Sequence, residues 1–128
     1  MTQTSAATIR YSLVLLFLWF GVQQLIDAPT WVGFLPEWTG YIPVPGELFV
    51  QLNGWMEVVF AVLLMLGVFT RVVAAVLGVH LLFIAVSVGG AIGVRDAALG
   101  LVTIAFALSP ADRWTLDAHT NSHSTKPA

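Results

Sequence analysis

The stretch 48–69, LFVQLNGWMEVVFAVLLMLGVF, contains a single ionisable side chain, Glu57, in an otherwise mainly apolar run. A run of this length can cross the roughly 30 Å hydrocarbon core of a bilayer as an α-helix. An ionised carboxyl in hydrocarbon costs about 2.5–3.5 kcal/mol on insertion scales, so Glu57 is a candidate functional residue. No Lys or Arg lies within helical reach of Glu57 along this span. Its partners are therefore expected on other helices.

Composition places the whole chain in the membrane. Hydrophobic residues make up 58% of the sequence and charged residues only 9%, which is too little polar surface for a soluble domain. Apolar runs at 9–26, 72–88 and 92–109 join the run at 48–69, and Arg95 and Asp96 interrupt the start of the last one. These four runs predict an all-α integral membrane protein, a four-transmembrane-helix bundle over residues 1–117.

The first apolar run has a second interpretation, as a secretory signal peptide, because Arg10 precedes it. No Ala-x-Ala-like cleavage site follows at 21–30, and three further apolar runs come after it. These features favour a retained transmembrane helix over a cleaved leader.

The basic residues predict the orientation. With the N-terminus in the cytoplasm, Arg10, Arg71, Arg113 and Lys126 all fall inside, and only Arg95 falls outside. The loop 27–47 contains no Lys or Arg. The positive-inside rule therefore predicts a multi-pass protein of the cytoplasmic membrane, with both termini inside and this loop outside.

The loop 27–47 is rich in proline and aromatic residues. Prolines at four positions prevent a long helix, and its aromatic side chains suit the membrane–water interface: Pro29, Pro36, Pro43, Pro45, Trp31, Phe34, Trp38 and Tyr41. Two interpretations stay open, a partial lid lying flat on the outer surface and an ordinary aromatic belt.

The chain is expected to leave the membrane after the fourth run. The sequence Ser-Pro-Ala-Asp at 109–112 has the N-cap residue, first-turn proline and early acid of a new helical turn. Residues 118–128 read as a disordered polar tail. His119 and His123 in this tail are spaced to bind a metal only weakly, so no metal site is expected.

Several chemistries are excluded or disfavoured for this chain. It has no cysteine, which excludes disulfides, thiol redox chemistry and cysteine-ligated iron–sulfur clusters. His80 is the only histidine in the apolar runs, so a bis-histidine haem cannot form within one chain. The net charge of −2 gives no reason to expect a nucleic-acid partner.

Comparison of depths predicts a polar cluster in the outer half of the bundle. With a rise of about 1.5 Å per residue, Gln24 and Glu57 both lie about 21 Å above the inner face, and Asp96 about 24 Å with Arg95 slightly higher. His80 comes out at about 14 Å. We therefore expect Gln24, Glu57, Arg95 and Asp96 to meet beneath the loop, with His80 below them.

Small residues favour an inward-facing Glu57. Gly54 and Ala61 lie three and four positions away on the same helix face, so a neighbouring helix can approach closely there. One hypothesis is a functional site. The alternative is a buried Glu57–Arg95 pair that only orders the bundle. For His80 the alternative is a hydrogen bond to a neighbouring helix without any ligand.

The chain resembles the DoxX family over residues 9–117. The resemblance rests on Gly-Trp-Met-Glu at 54–57, on Leu-Met-Leu-Gly-Val-Phe-Thr-Arg at 64–71, on Asp96, and on Arg-Trp-Thr-Leu-Asp at 113–117. It implies a compact four-helix membrane bundle. Some relatives are subunits of thiosulfate:quinone oxidoreductase, and many have no assigned activity. Members often place a lysine late in the first span, where Gln23 and Gln24 stand here, so that lysine's pairing with the glutamate does not carry over.

Three classes of function remain open. The first, favoured by the resemblance, is a membrane subunit of a quinone-linked oxidoreductase, in which Glu57 exchanges protons and Arg95 or Gln24 binds a carbonyl oxygen or a small anionic substrate. Quinone is then the implied cofactor, and a flat ring would be well served by Trp19, Phe20 and Trp55. The second class is a non-catalytic anchor for protein partners. The third is passage of a solute or proton, which requires oligomerisation.

Overall fold

The computed structural model describes residues 1–124, with side chains described through residue 120. This part of the chain is helical, without strands. Four helices are long and apolar enough to span a membrane, as the composition predicts: α1 (Gln3–Ile26), α3 (Gly46–Leu66), α4 (Thr70–Val88) and α5 (Gly90–Ala107). Short elements lie between and after them: α2 (Ala28–Val32), a 3₁₀ helix (Glu37–Tyr41) and α6 (Leu116–Ser124).

The four long helices form two pairs, α1 with α3 and α4 with α5. Glycine allows the close approach within each pair. A Cβ atom added to Gly21 would lie 2.9 Å from the carbonyl oxygen of Gly54, and one added to Gly78 would lie 3.1 Å from the carbonyl oxygen of Gly100. Small residues at crossing points let helix backbones pack directly in membranes. The expected close approach at Gly54 is thus confirmed, with Gly21 as its counterpart.

The two pairs meet in an apolar core. Phe17, Leu64, Leu77 and Phe106 are almost completely buried there. By contrast, Trp19 and Trp55 are more than half exposed on the outer faces of their helices. In a bilayer these outer faces contact lipid, so neither tryptophan reaches the interior of the bundle.

We call the end of the bundle that carries both termini the terminal end, and the other the loop end. At the terminal end α3 stops at Gly67, which adopts a left-handed conformation with φ of 71°. The backbone N–H of Asp117 donates to the Gly67 carbonyl. The Asp117 carboxylate in turn accepts from the backbone N–H groups of Phe69 and Thr70, capping the start of α4. The segments 67–71 and 113–117, which carry the family resemblance, therefore lock together.

Arg10 and Asp112 form a buried ion pair at the same end. Arg10 Nε donates to Asp112 Oδ1 at 2.9 Å and Nη2 donates to Oδ2 at 3.2 Å. Nη1 donates to the carbonyl oxygens of Leu64 and Met65. Carbonyls in the last turn of a helix have no partner within that helix. Arg10 therefore joins α1, the end of α3 and the segment after α5.

Two sequence expectations fail near the C-terminus. Residues 109–112 are not helical, and the next helix begins at Leu116, because the Asp112 carboxylate is bound by Arg10 and Thr115 caps the helix instead, accepting from the Ala118 N–H. The disordered tail expected over 118–128 differs from the structure for 118–124, which continue α6. The remainder of that tail lies outside the described residues.

Candidate functional site

A cavity of about 650 Å³ lies between the two helix pairs toward the loop end. All four long helices and the loop supply its walls. Most of the lining is apolar, with seven aromatic side chains: Phe17, Phe20, Trp31, Phe34, Trp38, Phe49 and Phe83. The five predicted site residues, Gln24, Glu57, His80, Arg95 and Asp96, all line this one cavity.

Glu57 is held by two amide side chains. Gln24 Nε2 donates to Glu57 Oε2 at 3.0 Å, and Asn53 Nδ2 donates to Glu57 Oε1 at 3.1 Å. Asn53 Nδ2 also donates to Gln24 Oε1 at 2.7 Å. Both carboxyl oxygens therefore accept from neutral amides, and the expected contact between Gln24 and Glu57 is confirmed in geometry. Glu57 is 5% exposed, so these bonds replace most of its hydration.

His80 approaches Glu57 from the other helix pair. Its Nε2 lies 3.5 Å from Glu57 Oε1, which is long for a hydrogen bond. Nε2 is enclosed and has no hydrogen-bond partner among the described residues. The sequence placed His80 below the polar cluster, whereas the structure brings it into direct proximity with the carboxylate.

Arg95 does not pair with Glu57. Its Nε and Nη2 both lie 3.1 Å from Oδ1 of the adjacent Asp96, and no ion pair joins Arg95 to Glu57 within the described chain. The expected interaction of Glu57 with Arg95 is therefore not a direct one, and its other form, through one water, stays a prediction. The Arg95 side chain is 55% exposed, and its Cζ lies 6.0 Å from the ring centroid of Phe20. Arg95 thus stands at the rim of the cavity, while Asp96 is buried.

The loop contributes aromatic side chains to the cavity wall. Trp38 packs edge-on against Phe49 of α3 and Phe83 of α4, with centroid separations of 6.2 and 5.6 Å. Trp31 packs against Phe20 of α1 at 5.6 Å. These contacts place loop residues against both helix pairs. A gating role for the loop stays a prediction.

Asn53 is the site residue that the sequence interpretation missed. It precedes Glu57 by four positions and so shares its helix face, and a polar amide one turn from a membrane carboxyl was a signal that could have identified it. The described residues contain no group of three His, Cys, Asp or Glu side chains that could hold a metal ion. The side chain of His123, one half of the weak metal hypothesis, lies outside the described side chains.

A four-helix membrane protein with a carboxylate beside an aromatic-walled cavity is the class that this fold and site define. The sequence model of the DoxX family matches residues 5–90, more than half of the chain, so the protein belongs to the DoxX family. The match includes Gln24, Asn53, Glu57 and His80 and ends before Arg95. Comparison with curated proteins and with solved structures gives no match.

Proposed function

We propose that this protein is a membrane subunit of a quinone-linked oxidoreductase and that its cavity binds the quinone ring. The observation that carries this proposal is the Glu57 carboxylate, held by Gln24 and Asn53 beside an aromatic-walled cavity within the bundle. A buried carboxyl in a membrane span is costly to keep. Because Glu57 lines a cavity, it can contact a bound ligand, which gives a functional reason for keeping a carboxyl in the span.

The cavity suits a flat ring with polar oxygens. Its volume of about 650 Å³ lies within the range of roughly 300–1,000 Å³ that is typical of small-molecule sites. Aromatic walls from the helices and the loop suit an apolar ring. Two residues of the lining that can donate hydrogen bonds, His80 and Arg95, suit the carbonyl oxygens of such a ring.

The residues take distinct roles in this proposal. A bound quinone supplies the capacity to accept an electron pair, and its reduction consumes two protons. Glu57 holds a proton next to the cavity, and Gln24 and Asn53 fix the carboxyl in place. Arg95 binds a carbonyl oxygen or a small anion at the rim. The electrons come from a reduced-sulfur anion of the thiosulfate type, as the family resemblance implies, or from a partner protein.

Ligand extraction and turnover test the proposal. The full-length protein, purified from native membranes in mild detergent, is expected to carry quinone, and added short-chain ubiquinone is expected to quench its tryptophan fluorescence. Glu57→Gln should lower quinone-linked turnover by about 100-fold or more while the protein still assembles, and Glu57→Asp should retain part of it. Glu47→Gln, the same substitution at an exposed carboxyl in the first turn of α3, is the matched control. Unchanged turnover in Glu57→Gln would contradict the catalytic role.

A non-catalytic anchor for a partner protein is the second candidate. It is favoured by a surface pocket of about 600 Å³ at the terminal end, between the start of α4 and residues 110–118. Trp114, within this segment, is about half exposed, and the Arg113 guanidinium stacks on its ring at 4.3 Å. Aromatic and arginine side chains are frequent anchors in protein interfaces. A stoichiometric protein that co-purifies with the wild type but not with Trp114→Ala would favour this candidate.

A further inference from the structure

We infer that His80 and Glu57 form an imidazole–carboxyl dyad, in which His80 passes protons between the cavity and Glu57. The inference deepens the proposed function and rests on it for the identity of the ligand. In this inference His80 contacts the ligand directly, and Glu57 exchanges protons with the ligand through His80.

The first support is the bonding of Glu57. Both of its oxygens accept hydrogen bonds from amide groups, Oε2 from Gln24 and Oε1 from Asn53. The described structure shows no group that accepts a proton from Glu57. A carboxylic acid needs such an acceptor for its O–H group. His80 Nε2, 3.5 Å from Oε1, is the nitrogen in place to serve.

The second support is the state of the His80 ring. Nε2 is enclosed and has no hydrogen-bond partner among the described residues, and an enclosed polar atom without a partner is destabilising. Catalytic hydrogen bonds are often long before the ligand binds and tighten when it does. The unpaired nitrogen is therefore the open position of a dyad.

The third support is the position of the other ring nitrogen. Nδ1 of His80 also forms no hydrogen bond in the described structure. Unlike Nε2, it is not enclosed. The side chain is 21% exposed and lines the cavity. One nitrogen thus meets Glu57 while the other is accessible. An imidazole placed in this way can release a proton from one nitrogen as it takes a proton at the other.

The proton balance of the step is simple. The step begins with Glu57 protonated and with the quinone reduced by electrons from the reduced-sulfur anion or the partner protein. The N–H bond at Nδ1 of His80 then breaks, and its proton goes to an oxygen of the reduced quinone. The Oε1–H bond of Glu57 breaks, and that proton forms a new bond to Nε2. His80 stays neutral, and Glu57 becomes a carboxylate held by the Gln24 and Asn53 amides. Uptake of one proton at Nδ1, with return of the Nε2 proton to Glu57 Oε1, restores the dyad.

The dyad can be tested without turnover. In the full chain, labelled with ¹⁵N-histidine and held in lipid nanodiscs, the His80 signals are assigned by their loss in His80→Gln. The wild type is expected to show a far-downfield proton that lies close to an unprotonated His80 Nε2, detected as a through-space correlation, as an O–H donor from Glu57 to the imidazole requires. That proton should vanish in Glu57→Gln and persist in Glu47→Gln. Its absence from the wild type, or its persistence in Glu57→Gln, overturns the dyad.

Chemical rescue tests the relay. His80→Ala is expected to lower reduction of short-chain ubiquinone by about 100-fold. Added imidazole should restore part of the rate, whereas pyrrole, which has no nitrogen able to accept a proton, should not. Wild-type turnover in His80→Ala, or equal rescue by both rings, overturns the relay. If the wild type neither binds nor reduces quinone, the proposed function fails, and the nuclear magnetic resonance result still decides whether the dyad exists.

Discussion

Arg10 and Asp112 are separated by 102 positions in sequence, yet their side chains form an ion pair in which neither is accessible to solvent. The pair has a structural role, because it lies at the terminal end, apart from the cavity. It offers the sharpest stability test in the molecule.

Asp112→Asn should destabilise the fold strongly. The substitution leaves the Arg10 guanidinium buried without its counter-charge, and breaking a buried pair in this way costs about 3–5 kcal/mol. The double variant Arg10→Met with Asp112→Leu should recover part of this loss, since the unpaired charge is gone while the Leu64 and Met65 carbonyls lose their donor. Unfolding in mixed micelles measures both. Arg113→Met, at an exposed arginine that stacks on Trp114, should cost no more than about 1 kcal/mol. A similarly small effect of Asp112→Asn would show that the pair is dispensable.

Gly67→Ala should lower the thermal stability more than Gly89→Ala does. Gly67 is in the left-handed α region with φ of 71° and ψ of 37°, where alanine costs about 1–2 kcal/mol, and a Cβ atom there would in addition overlap Thr115. Gly89, with φ of 69° and ψ of −168°, carries backbone strain alone, because nothing lies near a Cβ atom at that position; the expected order therefore requires the overlap with Thr115 to outweigh the larger backbone strain at Gly89. Melting in detergent separates the two costs. Equal melting temperatures would mean that the contact of the turn with Thr115 is loose.

Glu57→Leu should be less stable than Glu57→Gln. Leucine leaves amide N–H groups of Gln24 and Asn53 without an acceptor, at a cost of about 1–3 kcal/mol for each stranded group. Glutamine retains one carbonyl oxygen and can be accommodated by rotation of a neighbouring amide. Thermal unfolding of the two variants in the same detergent is the measurement. The prediction fails if the two variants melt together.

Both termini should lie in the cytoplasm, with the loop 27–47 outside. The prediction rests on the distribution of basic residues in the sequence. Reporter fusions at Thr125 and Gly40 test it: a reporter that is active only in the cytoplasm should work at Thr125 and be silent at Gly40. Activity at Gly40 would invert the assigned orientation.

Hydropathy was sufficient for the fold, because the requirement to bury backbone polar groups in lipid leaves few alternatives to a helix. Depth along each helix also brought Gln24, Glu57 and Asp96 to one layer. Depth does not fix the direction in which a side chain projects around the helix. The sequence therefore paired Glu57 with Arg95, whereas Arg95 pairs with its neighbour Asp96.

The terminal end was the least predictable part. The Ser-Pro-Ala-Asp pattern at 109–112 has the local chemistry of a helix start, but the Asp112 carboxylate is engaged by Arg10 from the far end of the chain. A long-range partner of this kind is not encoded in local spacing. Asn53, by contrast, could have been predicted from its position one turn before Glu57. It was not predicted, because an uncharged amide in an apolar run is a weaker signal than an ionisable side chain.

The pairing of Arg10 with Asp112 also fixes an order of events during biosynthesis. The first helix enters the bilayer with its arginine while the matching aspartate has not yet been translated. Until residue 112 emerges from the ribosome, the guanidinium depends on water or lipid headgroups at the membrane surface. A chain whose synthesis stops early cannot seat this arginine, so the last transmembrane helix must be in place before the first is fully anchored.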